Sequence, residues 1–163
     1  MMKLRVLTWN VWFDNHEFNR RAHAMFRVFE QLSPDVICLQ EVTPKFCHLL
    51  HQEARRDRSW LSSYVCTDKD FSGISVDPYS VMILCKSKYT PVFSEHEFPT
   101  EMNRKLLVST ICLSNEKSVH IGTVHLESLN YPRVRQQQLE VCAQALPCDS
   151  SILCGDFNFC SYK

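Results

Sequence analysis

Apolar residues recur along this chain at two different spacings, and the changes of spacing mark out its elements. Leu4 to Val11 has the β-branched and aromatic character of a strand. From His16 to Leu32 the period lengthens to that of a helix: Phe18, Ala22, Met25, Phe26 and Phe29 fall on one face, with Asn19, Arg20, Arg21 and Arg27 largely opposite. Asp14 or Asn15 is placed to cap this helix and Pro34 to end it. Val36 to Leu39 follows as a short continuous apolar strand, the pattern of a sheet covered on both faces. Thr43-Pro44 then opens a second helix, with a capping hydroxyl before a proline at the first helical position and an apolar stripe of Phe46, Leu49, Leu50 and Ala54. Leu61–Cys66, Ser80–Lys86, Pro91–Phe98 and Leu106–Leu113 read as strands in an antiparallel meander. Ser118–Leu126 is a further strand. Pro132–Leu146 is a helix expected to bury Leu139, Cys142, Ala143 and Leu146, and Ile152–Gly155 is the last strand.

Helices and strands alternate near both ends while strands cluster in the middle, which predicts an α/β (α+β) fold with a mixed sheet and helices outside it. At 163 residues and 45% hydrophobic composition, the chain fits one globular domain over residues 1–163. Eighteen basic residues balance eighteen acidic ones, so no overall basic field draws in nucleic acid and any DNA contact must be local. The nine cysteines include no Cys-x-x-Cys pair, which argues against structural zinc. Cys38, Cys85, Cys112 and Cys154 lie in apolar strand runs, where a thiol behaves as a small hydrophobe. The odd count and the absence of an apolar signal peptide at the start favour a reducing compartment, nuclear or cytosolic. No apolar run approaches the length of a membrane span.

Several polar residues stand at strand ends, where a rigid scaffold can aim them into a crevice. Glu41 follows an apolar strand, and hard ions such as magnesium take one or two carboxylates while keeping several waters; a solvated residue ahead of the next helix is the alternative. Asn10 can accept from water, donate to a phosphate oxygen or orient Glu41, though asparagine is also common in turns. Asp156 and Asn158 are two apart and on extended backbone would converge on one phosphate, the acid orienting or deprotonating a water and the amide holding an oxygen; an Asx turn is the alternative. His125 suits either a site or a satisfied core position. Arg104 and Arg135 carry guanidinium forks suited to phosphate, with surface solvation as the default. Trp12, Phe13 and Tyr79 offer stacking faces to unpaired bases or belong to the core.

Thr8-Trp9-Asn10, Leu39-Gln40-Glu41, Thr123-Val124-His125-Leu126-Glu127-Ser128 and Gly155-Asp156-Phe157-Asn158 stand in an order that resembles the endonuclease/exonuclease/phosphatase superfamily. His-Leu-Glu-Ser followed by Arg135 and Gln138 is similar to its 5′-tyrosyl-DNA phosphodiesterase branch. The resemblance runs from Leu4 to Asn158. It implies a four-layer α/β/β/α sandwich of two mixed sheets and a metal-dependent phosphodiesterase acting in DNA repair on single-stranded 5′-phosphotyrosyl ends. It implies that Asp156, Asn158, His125 and Asn10 are catalytic, that Glu41 with Asn10 holds Mg2+, with Mn2+ suited to the same oxygens, and that Arg135, Arg104 and Ser128 bind substrate. Glu127 either joins the site or holds its loop. A nuclease, sphingomyelinase or inositol phosphatase of the same fold is the alternative.

Members of the superfamily also use a late Ser-Asp-His motif, and none of the seven histidines lies after Asp156. The expectation is a C-terminally incomplete domain, its N-terminal and central part, stopping before the final strands. A catalytically silent fragment acting by binding is the reading this leaves open.

Overall fold

The structure, a computed structural model, describes residues 3–68, 79–114 and 117–159. The stretch beyond Phe159, including the terminus at Lys163, lies outside the described residues. Eight strands form two four-stranded sheets. The first has the order β1 (Val6–Asn10), β2 (Val36–Val42), β4 (Ser80–Lys86), β3 (Tyr64–Cys66). The second has the order β5 (Val92–Glu97), β6 (Lys105–Ser114), β7 (Lys117–His125), β8 (Ser151–Asp156).

Helix α1 (Phe18–Leu32) crosses from β1 to its parallel partner β2, and α3 (Pro132–Ala145) crosses from β7 to its parallel partner β8. The pairing of β2 with β4, β4 with β3, and β5 through β7 is antiparallel. The expected meander is therefore divided: β5 to β7 form one, while β3 and β4 join the first sheet. The expected strand from Leu61 is a 3-10 turn over Trp60–Ser63 followed by the three-residue β3. Ser59 starts that turn by accepting the Leu61 amide on its hydroxyl at 3.2 Å.

Strand alternation sorts the core into three layers. Ile37, Leu39, Met82 and Leu84 face α1 and α2 (Pro44–Ala54) and meet Phe26, Phe29, Phe46 and Leu50. Val36, Cys38, Ile83 and Cys85 point the other way, onto Leu107, Ile111 and Ile121 of the second sheet. Leu106, Val108 and Val124 carry the outer face of that sheet to Cys142 on α3. The result is the four-layer α/β/β/α sandwich of two mixed sheets. No helix among the described residues is long and apolar enough to cross a membrane.

Two helix ends differ in how they are fixed. Thr43 caps α2 as expected, its hydroxyl accepting from the Phe46 amide at 3.2 Å with Pro44 at the first turn. Neither Asp14 nor Asn15 caps α1, whose cap residue is Glu17 in left-handed backbone. The Asp14 carboxylate accepts from His16 N instead, and Arg21 gathers the carbonyls of Val11, Trp12, Asp14 and His16, so the helix begins two residues late at Phe18. In α3 the buried residues are Gln138 and Cys142; Ala143 is exposed and Leu139 and Leu146 are half-buried.

Candidate active site

The two parallel strand pairs end beside one another, and their registers place the polar residues. Asn10 pairs with Gln40, next to Glu41, and His125 pairs with Asp156. Glu41 does not sit beyond its strand as expected but inside β2, at the irregularity between Leu39 and Val42, with φ 58. A non-glycine residue held there is strained, and the bulge re-aims its side chain out of the pleat.

Asn10 joins the two halves. Its Nδ2 donates to Glu41 Oε1 and to Asp156 Oδ2, each at 2.9 Å. The oxygen it would offer a metal ion accepts from Trp12 N at 2.9 Å. The second oxygen of each carboxylate is held from behind, Glu41 Oε2 by Phe13 N at 3.1 Å and Asp156 Oδ1 by Asn158 N at 3.0 Å. Two carboxylate oxygens therefore face one gap in fixed positions.

His125 closes that gap. Its Nε2 lies 4.0 Å from Glu41 Oε1 and 3.9 Å from Asp156 Oδ2. Its Nδ1 lies 2.8 Å from Arg104 Nη1, and a guanidinium can only donate, so Nδ1 accepts and the ring proton sits on Nε2, aimed at the carboxylates. Burial, and then the Arg104 charge, hold the His125 pKa below its ordinary value. Glu41, His125 and Asp156 form a group of potential metal ligands within 4.8 Å of one another. Because Nε2 carries the proton, the donors that fit an ion are the carboxylate oxygens, a hard set suited to magnesium or manganese.

The direction of the His125 shift has a consequence for stability. In the metal-free protein, the unfolded chain takes up the imidazole proton at a higher pH than the folded one. His125 thus contributes stability that is fully present above about pH 6.5 and lost as pH falls through its folded value. Thermal midpoints of the wild type should drop more steeply between about pH 7 and about pH 5 than those of His125→Gln. Parallel curves would contradict the assignment.

The remaining expected residues divide. Asn158 does not continue an extended strand: its backbone is left-handed (φ 50), it forms the Asx-type turn on Asp156, and its Nδ2 donates to Leu126 O at 2.8 Å and Ser128 Oγ at 3.3 Å. Arg104 is buried, and its Nη2 donates to Ser128 Oγ at 3.2 Å. The Ser128 hydroxyl oxygen thus accepts from both Arg104 and Asn158, which keeps its own proton free to donate. The described contacts of Arg135 lie elsewhere: Nη1 donates to Glu127 O and Leu129 O, each at 2.9 Å, and fixes the loop after β7. Trp12, Phe13 and Tyr79 are about half exposed rather than core, with Phe13 and Tyr79 edge to face at 4.6 Å.

Of the two readings of Glu127, the one that holds its loop is what the structure shows, through a clamp that sequence reasoning missed. The Glu127 carboxylate, fully buried, accepts from Thr100 Oγ1 at 2.7 Å, Glu101 N at 2.9 Å and Gln138 Nε2 at 3.2 Å. Thr100 Oγ1 in turn accepts from Arg104 N at 3.0 Å, so the segment carrying Arg104 is fixed to the segment carrying Ser128. The signal was a glutamine on the apolar face of α3. A cleft of about 330 Å³, lined by Asn10, Gln40, Asp156, Phe157 and Asn158 among others, opens beside the carboxylate pair.

Comparison with known proteins follows the same geometry. The sequence model of the Endonuclease/Exonuclease/phosphatase family matches residues 7–161. The tyrosyl-DNA phosphodiesterase 2 of Danio rerio is 32% identical over 166 residues, covering 96% of this chain and 41% of that protein. The chain thus spans about two fifths of the length of the curated relatives it matches. Among solved structures, a humanized D. rerio TDP2 carrying 14 mutations superposes with a TM-score of 0.78 at 27% identity, over 97% of this chain and 67% of that one. D. rerio TDP2 complexed with single-strand DNA product gives a TM-score of 0.75 at 26% identity, over 97% and 62%.

Proposed function

Because the chain belongs to the endonuclease/exonuclease/phosphatase family, we propose that it hydrolyses phosphodiesters with a divalent metal ion and that its substrate is the 5′-phosphotyrosyl end of single-stranded DNA. The observation that carries the reading is the pair of carboxylate oxygens bridged by Asn10 and faced by the Nε2 proton of His125. The substrate is supported by the relatives, which are named tyrosyl-DNA phosphodiesterases, and by the single-strand DNA product bound to one of them. The exposed Phe13 and Tyr79 rings offer faces to an unpaired base.

In this mechanism Glu41 Oε1 would hold the ion, magnesium or manganese, and the charge supplied there would polarise a phosphate oxygen. Asp156 Oδ2 orients the attacking water and takes its proton, while Asn10 keeps that oxygen at a fixed distance from Glu41. His125 Nε2–H donates to a non-bridging oxygen as negative charge builds, with the Ser128 hydroxyl as a further donor, while the buried Arg104 holds both of them in place from behind. As the bond from water oxygen to phosphorus forms, the bond from phosphorus to the tyrosyl oxygen breaks. The phenol that leaves has a pKa of about 10, so its oxyanion departs with less assistance than an alkoxide would need.

The test is release of tyrosine from a 5′-phosphotyrosyl oligonucleotide by the 163-residue chain, with and without magnesium, beside an inositol phosphate and sphingomyelin at equal metal concentration. Metal-dependent release that leaves a 5′-phosphate on the DNA, and that disappears in Asp156→Asn, is the expected result. Preference for a lipid headgroup would overturn the substrate, and a folded chain inert on the whole panel would overturn the activity.

A further inference from the structure

Gln40 is buried to 1% in the layer between the sheets, whose other members include Val36, Ile83, Leu107 and Ile121. Its Nε2 lies 3.0 Å from Thr123 Oγ1 on β7, 3.1 Å from Thr8 Oγ1 on β1 and 3.2 Å from Cys38 O on its own strand. Two amide protons serve three acceptors, and the Thr8 hydroxyl returns a longer bond to Gln40 Oε1 at 3.4 Å. On the neighbouring strand β8 the Cys154 thiol donates to Gly122 O of β7 at 3.5 Å.

Each of these residues stands just before a residue of the site. Thr8 precedes Asn10 by two positions, Gln40 precedes Glu41 by one, Thr123 precedes His125 by two and Cys154 precedes Asp156 by two. On extended strands a two-residue step repeats the same face, so the network is a polar layer directly beneath the side chains that meet in the gap. Apolar contacts between the sheets are non-directional and tolerate a small slide. The bond from the buried Gln40 amide to Thr123 Oγ1, which crosses from one sheet to the other, does not, because hydrogen bonds weaken steeply with distance and angle. Glu41 comes from one sheet and Asp156 from the other, so the width of their gap depends on the offset of the sheets.

We infer that Gln40 is a positioning residue: held on its own sheet by Thr8 and Cys38 O, it bonds Thr123 of the other sheet and so fixes the offset between the sheets and the separation of Glu41 from Asp156. Its effect on turnover rests on the phosphodiesterase reading; its effect on geometry does not.

The test uses Gln40→Met, which keeps length and loses the hydrogen bonds, Thr123→Val, the double variant, and Ile83→Val as an apolar change in the same layer. Gln40→Met and Thr123→Val should each lower kcat about 10- to 100-fold, as loss of a supporting partner does, with KM held within about twofold. The double variant should be no worse than the poorer single, since both break one interaction. In nitrogen-15 spectra the side-chain amide protons of Asn10, which report directly on Glu41 and Asp156, should shift in Gln40→Met and stay in place in Ile83→Val. An unshifted Asn10 amide in Gln40→Met overturns the proposal, as does an equal kcat loss in Ile83→Val. If the wild type shows no turnover on any phosphodiester, the functional reading fails by itself, and the Asn10 resonances still decide the role of Gln40.

Discussion

Replacing Glu41 with glutamine is expected to lower metal-dependent phosphodiester hydrolysis by about three powers of ten, the factor that several kcal/mol of metal-borne charge stabilisation represents. Glutamine keeps the volume, but its single oxygen can accept from only one of Phe13 N and Asn10 Nδ2, so its NH2 group meets a donor at the other position. What goes is the negative charge. In the metal-free chain its loss also relieves the repulsion between two carboxylates whose oxygens share the Asn10 amide. The lost hydrogen bond and the relieved repulsion oppose each other, so the variant should melt close to the wild type while being nearly inactive and much less sensitive to magnesium. Rates measured over a magnesium titration, together with thermal midpoints in chelator, check both parts. Wild-type turnover in Glu41→Gln would remove it from the metal site.

The largest effect on stability is expected from Gly155→Ala. Gly155 has φ 135, and a Cβ built there would lie 2.0 Å from Val124 O and 2.9 Å from Val124 N, backbone atoms of the neighbouring strand that cannot swing aside. Alanine must break the parallel pairing of β7 with β8 at the Val124 and Gly155 step, immediately before the His125 and Asp156 pair. A loss on the order of 4 kcal/mol or more, in the exceptional range for one substitution, should appear as a lower denaturant midpoint. A loss under about 1 kcal/mol would mean that the close approach is not required. Gly122→Ala is a useful contrast, because its nearest neighbours are side-chain methyls of Leu146, Leu106 and Leu153 at 3.0 to 3.2 Å, which can adjust.

Periodicity located the elements well where one face is apolar and the other is not. The α1 face of Phe18, Ala22, Met25, Phe26 and Phe29 is buried as read, and Thr43-Pro44 opens α2. It failed where a polar side chain is buried and hydrogen-bonded. Gln138 entered the reading only as a motif residue and was not expected in the core, yet it is fully buried because Glu127 and Pro99 O satisfy its amide, while Ala143, expected in the core, is exposed. Gln40 was passed over for the same reason. The division of the central strands between two sheets was not legible, since alternation along β4 and β5 says which faces are apolar and nothing about which strand lies alongside. The polar residues at strand ends were legible as a group, because strand position alone carries Asn10, Glu41, His125 and Asp156 to one place. What each does there depends on partners distant in sequence, such as Arg104 for His125 and Asn10 for both carboxylates.

Arg21 ties the loop after β1 to α1. Its five guanidinium contacts hold the carbonyls of Val11, Trp12, Asp14 and His16, and its charge lies 4.5 Å over the Trp12 ring. The amides of Trp12 and Phe13 that steady Asn10 and Glu41 belong to this same loop. Ordering a loop costs roughly 1 to 2 kcal/mol of entropy per residue. Here that cost falls on folding, through one side chain of α1, so a ligand meets Asn10 and Glu41 side chains already steadied by this loop and need not spend its own affinity on arranging them.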